Sequence, residues 1–275
     1  DIDKRDQHPL AAKDRKGRLL VGAAIGVKGD YLERAARLID SRADLLVVDV
    51  AHGHHESVIN TIKTLKKTFG DDIEVMAGNV ATYEAGFDLV NAGADAIKIG
   101  VGGGSICVTR IVSGSGVPQL TAVMNTSKIY EDYGIPVNAD GGIKQAGDIS
   151  KAIAAGANSI MLGNLLGGTE ESPGKIVIKE GRRYKVYRGM AGFGATNARK
   201  QVETGKDADL SEVVPEGVEG TVPYRGYVSE VLFQLVGGLR SGMSYVGART
   251  IDDMRRKGKF IRITSSGMKE SKPHD

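Results

Sequence analysis

The chain has 275 residues and is 41% hydrophobic, enough to bury a core as one large domain or two small ones. Its 37 basic and 34 acidic residues leave a net charge of +3, too balanced to argue for nucleic acid, and no basic run alternates with aromatic residues. No apolar run approaches the roughly 20 residues of a membrane span, the polar opening DIDKRDQHPLAAKDRKGR does not read as a signal peptide, and a single cysteine excludes an internal disulfide framework and favours a reducing compartment, read here as the cytoplasm.

Short apolar runs alternate with helical patterns along the chain. Strands are predicted at 19–25, 45–50, 74–77, 96–101, 136–139 and 159–162. These runs show little period-2 alternation, as expected of parallel strands covered on both faces. Between them helices are predicted at 30–41, 56–69, 82–92, 119–133 and 146–155. In the second helix Val58, Ile59, Ile62, Leu65 and Phe69 fall on one face. Three helices end alike, in SRAD, NAGAD and AAGAN, and Gly93 and Gly156 suit a left-handed residue just past the helix.

Alternating units of this kind predict an α/β fold. The strand ends carry Asp49, Gly78-Asn79, Gly100, Asp140-Gly141-Gly142 and Gly163-Asn164. In a (β/α)8 TIM barrel such ends meet at one mouth, whereas a doubly wound sheet places its ligand at a single switch point. Polar residues at every strand end favour the barrel. Only six strands are visible, so the first strands are expected before residue 1. The chain is then the C-terminal part, 1–275, of a barrel domain. After Gly167 the pattern breaks into a glycine- and charge-rich stretch, 168–226, read as an active-site lid rather than a linker. A helix at 229–241 and a short strand at 260–263 are expected as closing pieces.

The chain's one thiol, Cys107, sits in GGGSICVTR, on a glycine-rich loop after a strand. A lone cysteine is commonly a small buried hydrophobe. A surface loop is a poor place for that, and backbone N–H groups crowding such a loop favour a thiolate. Cys107 therefore reads as a nucleophile, with Thr109 placed to hydrogen-bond a reacting atom. Asp140-Gly-Gly and Gly163-Asn-Leu-Leu-Gly-Gly end consecutive strands and together read as phosphate loops, although either alone is an ordinary turn. His52, His54 and His55 lack the spacing of a helical zinc pair, and Asp49 beside them is the better functional candidate.

These motifs closely resemble the inosine monophosphate dehydrogenase / GMP reductase family. The stretches that carry the resemblance include VVDVAHGH, AGNVAT, GGGSICVTRIVSGSGVPQLTAV, IPVNADGGI, MLGNLLGGTEESPG, YRGM, VPEGVEG and QLVGGLRSGMSYVGA. They cover the chain nearly end to end. The resemblance implies a barrel, usually tetrameric and possibly octameric, that binds a purine mononucleotide and a nicotinamide dinucleotide. It implies a cysteine that attacks purine C2 to form a thioimidate, with hydride moving between C2 and the nicotinamide. Carried over by motif, Cys107 is the nucleophile, Thr109 its catalytic neighbour and Glu216 the lid acid. Asp140 binds ribose hydroxyls; Ser105, Gly142, Gly163, Asn164, Tyr187 and Gly189 surround the nucleotide; Met190 contacts the base edge. Asp49, Asn79 and Gly100 line the dinucleotide side. Carbonyls of Gly102, Gly104 and Cys107 would hold a potassium ion, completed by Glu270, Ser271 and Lys272 of a neighbouring subunit. The opening AAKDRKGRLLVGAA is similar to the segment just after a CBS regulatory insert, and such an insert is expected upstream.

The two sister activities differ after the thioimidate. The resemblance implies that a dehydrogenase hydrolyses it with a lid Arg-Tyr pair, whereas a reductase releases ammonia from GMP and relies on Cys, Thr and Glu. Here the pair's expected place holds Glu203-Thr204, and Arg199 is followed by Lys200. Hydrolysis without a base to activate water is slow, so the reading is a GMP reductase using NADPH. An IMP dehydrogenase using NAD is the alternative, favoured by PEGVEG and the KPHD ending. Val108 and Asn164 motivate a third, a non-catalytic nucleotide-binding paralogue.

Overall fold

The computed structural model describes residues 9–205 and 215–273. Six parallel strands form one sheet in chain order: β1 (Gly22–Ile25), β2 (Leu45–Asp49), β3 (Glu74–Val80), β4 (Ala96–Ile99), β5 (Val137–Asp140) and β6 (Ser159–Met161). All six lie where the apolar runs predict them. Helices return the chain between strands: α1 (Tyr31–Asp40), α2 (Glu56–Phe69), α3 (Tyr83–Asn91), α4 (Thr109–Val112), α5 (Gln119–Thr126), α6 (Lys128–Tyr133) and α7 (Ala146–Ala154). This is the α/β arrangement of a partial TIM barrel, with β1 and β6 at the edges of the sheet among the described residues.

The two faces of the sheet differ. Toward the helices, Leu46, Val48, Val75, Ala77, Ile97, Ile99, Val137 and Ala139 pack with Val58, Ile62, Leu65, Leu89, Ile129 and Ile153. Each large side chain so buried contributes about 1.5–3 kcal/mol relative to exposure. On the other face Val47, Met76 and Ala96 form a small second cluster. One step toward the strand ends, the register aligns Asp49, Gly78, Lys98, Asn138 and Ser159. That row is polar, and it marks the start of the mouth.

The three similar helix endings behave alike. Gly93 and Gly156 have φ of 106° and 118°, and Arg42 takes the same position at 66°. The 119–133 helix is broken at Ser127. Its buried hydroxyl donates to Ala155 O at 3.1 Å, and Gly156 lies so close that a Cβ there would fall 2.3 Å from Ser127 Oγ. That tertiary contact outweighs local helix propensity.

The 168–226 stretch is not a simple loop. It follows α8 (Asn164–Gly167) and holds an antiparallel sheet of β7 (Ile176–Lys179), β8 (Arg182–Arg188) and β9 (Glu219–Pro223), with α9 (Phe193–Thr204) between β8 and β9. The closing helix is longer than predicted, α10 (Val228–Tyr245), and is followed by α11 (Ile251–Lys257) and α12 (Ser265–Glu270). The predicted strand at 260–263 is corrected: those residues belong to no ladder among the described residues, with Ile261 85% exposed. Apolar character without an adjacent edge to supply hydrogen bonds does not make a strand. Among the described residues no helix is long and apolar enough to cross a membrane.

Candidate active site

The glycine loop after β4 begins with a constraint. Gly100 has φ of 143°, and a Cβ there would stand 2.0 Å from Asp140 O. Only glycine lets the ends of β4 and β5 approach this closely. Gly142 N–H donates to Gly103 O at 3.0 Å, which ties the cysteine loop to the Asp140-Gly-Gly turn.

Cys107 is half-buried, and its Sγ lies 3.1 Å from Thr109 Oγ1. The Thr109 hydroxyl donates to Glu216 Oε2 at 2.7 Å. Thiol, hydroxyl and carboxylate thus form one chain, although Glu216 is 107 residues from Thr109. Backbone pairing sets this geometry. Val108 N–H donates to Glu216 O at 2.8 Å, Val218 N–H donates to Ile106 O at 3.0 Å, and Cys107 bridges Gly217. Gly217 tolerates no side chain, since a Cβ would lie 2.9 Å from Gly192 N. A cleft of about 500 Å³ flanks Glu216, lined by Phe193, Gly194, Pro215, Gly217, Val218 and Glu219.

A second cluster occupies the strand ends. Lys98, 2% exposed, reaches Asp49 Oδ1 at 3.0 Å and also pairs with Asp140 Oδ2. Asn79 Nδ2 donates to that same Asp140 oxygen at 3.0 Å and to Gly100 O at 2.8 Å, while Asn79 Oδ1 is buried without a partner among the described residues. Asp49, Asn79, Gly100 and Asp140, predicted from separate strand ends, therefore meet around a lysine that the sequence reading missed. Its signal was present: one charge inside the otherwise apolar run Ala96–Ile99. A buried cation facing two carboxylates is costly to remove. Lys98→Met is expected to lower stability by about 2–3 kcal/mol, discounted because both carboxylates are partly exposed, as read by urea denaturation. An unchanged midpoint would show the pairing to be energetically idle.

Of the predicted phosphate loops, the Gly163 loop lies against Tyr187. A Cβ on Gly163 would fall 2.8 Å from Tyr187 Oη, and one on Gly167 would fall 2.7 Å from the Tyr187 ring. Burial, and then the nearby Asp140 charge, push the Tyr187 phenol above its usual range. The hydroxyl therefore stays protonated, a donor beside Gly163 and Asn164 at the start of α8. Ile106 packs on Gly189, whose N–H donates to Val218 O at 3.2 Å. Ser105 is exposed and Met190 is 84% exposed. Glu270, Ser271 and Lys272 lie at the end of α12, apart in sequence from the cysteine loop. The histidines take local roles: His55 caps α2 by accepting from Ser57 N–H at 3.1 Å, and His54 pairs with Asp88 at 2.8 Å. Positions 203–204 fall in the last turn of α9; their side chains, and that of Arg199, lie outside the described residues.

Residues 1–274 match the family model described as the IMP dehydrogenase / GMP reductase domain. The chain belongs to the IMP dehydrogenase / GMP reductase family. It is 55% identical to an inosine-5'-monophosphate dehydrogenase of Nitrosopumilus maritimus, over all of this chain and 58% of that protein. It is 52% identical to a GMP reductase of Leishmania donovani, over all of this chain and 56% of that protein. Among solved structures it is similar to a cysteine-to-alanine variant of GMP reductase from Trypanosoma brucei in complex with guanosine 5'-monophosphate. That match has a TM-score of 0.93 and 50% identity, and covers 100% of this chain and 56% of the other. The chain thus spans little more than half the length of these family members.

Proposed function

We propose that the protein is a GMP reductase, converting GMP to IMP and ammonia with oxidation of NADPH. The observation that carries this reading is the continuous Cys107–Thr109–Glu216 chain, with Thr109 Oγ1 3.1 Å from sulfur and 2.7 Å from the carboxylate. Along it the thiol proton can pass through Thr109 to Glu216 as sulfur attacks purine C2. Glu216 can then protonate the departing amine, which leaves as ammonia. A bound nicotinamide dinucleotide would supply hydride to C2 of the thioimidate; the carbon–sulfur bond then breaks to release IMP, and the departing Cys107 thiolate takes up a proton from water to restore the thiol. In this lid, 168–226, Glu203-Thr204 stands where a water-activating Arg-Tyr pair is expected, which supports reduction over hydrolysis.

Asp140 Oδ2 is taken by Lys98 and Asn79, so Oδ1 is the atom offered to ribose hydroxyls. Tyr187, Gly142, Gly163 and Asn164 receive the phosphate, with Ser105 and Gly189 alongside and Met190 on the base edge. Asp49, Asn79 and Gly100 face the dinucleotide. A potassium ion suits the carbonyls of Gly102, Gly104 and Cys107. Gly104 O accepts from Cys107 N–H at 3.2 Å and keeps a second lone pair. Glu270 ends α12 and Ser271 and Lys272 follow it, where main-chain carbonyls at a helix C-terminus suit a neighbour's ion in a tetramer or octamer. The cytoplasm and an upstream CBS insert complete the proposal.

The alternative is an IMP dehydrogenase using NAD, favoured by PEGVEG and by the relatives of that name. A two-substrate assay of the whole protein decides. Loss of NADPH absorbance with GMP is the expected result. NADH formation with IMP overturns the reductase, and binding of nucleotide with neither signal indicates the non-catalytic paralogue.

A further inference from the structure

Lys185 is a buried charge that the proposed chemistry does not use. It is 3% exposed in β8, where Arg182 and Arg183 are exposed. Its ammonium donates to three backbone carbonyls: Thr169 O at 2.9 Å, Glu170 O at 3.0 Å and Ser172 O. Three protons meet three acceptors, so no donor is left for a ligand. These charge-assisted bonds all fall on the segment that leaves α8.

Tyr187 stands two residues along the same strand and so on the same face. Its ring and hydroxyl lie against Gly167 and Gly163, at the two ends of α8. Thr169 joins the two grips: it is 2% exposed, and its hydroxyl donates to Leu166 O at 2.7 Å. Lys185 holds the exit of the 163–172 segment while Tyr187 touches its entrance. Removing the ammonium would take the charged donor from Glu170 O and Ser172 O, leave Thr169 O only Ser172 N–H at 3.2 Å, and release the segment that sets the distance between Tyr187 and the Gly163 turn.

We propose that Lys185 is a positioning residue for the mononucleotide's phosphate: it touches no substrate, and it clamps β8 onto the 163–172 segment so that Tyr187 and the Gly163 turn converge. The inference rests on the phosphate reading above. It predicts a loss confined to ligands that carry a phosphate.

Calorimetry of the whole protein with GMP and with guanosine tests it. Lys185→Met keeps length and removes the charge and the donors. GMP affinity is expected to fall by about tenfold or more, because sub-ångström misplacement of a site group is felt strongly, while guanosine affinity changes by less than about twofold. Tyr187→Phe should show the same pattern. Equal weakening of both ligands, or an unchanged GMP-to-guanosine ratio in a folded variant, overturns the inference. Should Lys185→Met not fold, Lys185→Arg keeps a charge and donors but displaces the segment. Its ratio is expected to fall by about threefold or more, and an unchanged ratio again overturns the clamp. Wild-type protein that binds guanosine as tightly as GMP would instead sink the phosphate reading itself.

Discussion

Replacing Cys107 with alanine is expected to abolish turnover, by a factor on the order of 10⁴ or more, while purine mononucleotide binding persists. The loss is large because no other group can form the carbon–sulfur bond: Cys107 is the chain's only cysteine. Binding is expected to survive because the groups proposed to hold the nucleotide lie on other elements, Asp140 at the end of β5 and Tyr187 on β8. The backbone there is also untouched. Cys107 N–H still donates to Gly104 O, and the bridge to Gly217 needs no side chain. Product formation under single-turnover conditions, with calorimetry for binding, makes the check. Full turnover in this variant would rule out covalent chemistry at the position. A modified Cys107 in wild-type protein trapped with nucleotide, seen by mass spectrometry, is the matching positive result.

Glu216→Gln should cost about 10²–10⁴ in kcat with little change in mononucleotide affinity. The amide is isosteric with the carboxylate and can still accept from the Thr109 hydroxyl, which lies 2.7 Å away in the native protein. What it loses is the ability to take up a proton and return it. The main-chain contacts of the residue, Val108 N–H to Glu216 O and Glu216 N–H to Ala191 O, are retained, so the loop keeps its place. Thr109→Val interrupts the same chain one atom earlier and should give a loss of similar size. Rapid-quench measurement of the first turnover separates this step from product release. Wild-type kcat in Glu216→Gln would remove the relay, and with it the proposed route for releasing ammonia.

Much of the fold was legible because buried parallel strands are near-continuous apolar runs and amphipathic helices repeat with their own period. Leu45–Asp49 and Glu56–Phe69 needed nothing beyond neighbours in sequence to be recognised. Gly93 and Gly156 announced helix ends because a positive φ is a local property of the backbone. The catalytic candidates were visible for a related reason. A thiol, a hydroxyl and glycines packed into nine residues are a local anomaly wherever the chain goes. Other features were not local. The break at Ser127 depends on Ala155 and Gly156 at the end of the neighbouring helix. The 260–263 run has strand composition but no edge beside it. The three strands between 168 and 226 were hidden because exposed, charged hairpins lack the apolar signal of a core.

Sequence alone determined the groups that this chain carries: one thiol on a glycine loop, polar residues at the ends of apolar strands, and a long glycine- and charge-rich segment after them. Tertiary structure decided which of these groups act on one another. It brought Glu216 across 107 residues to Thr109, set Lys98 between Asp49 and Asp140, and turned Lys185 inward onto three carbonyls. Residue type sets what a group can donate or accept. A hydrogen bond or ion pair also needs a distance of about 3 Å, and that is fixed only when the strands, turns and hairpin close around a shared core.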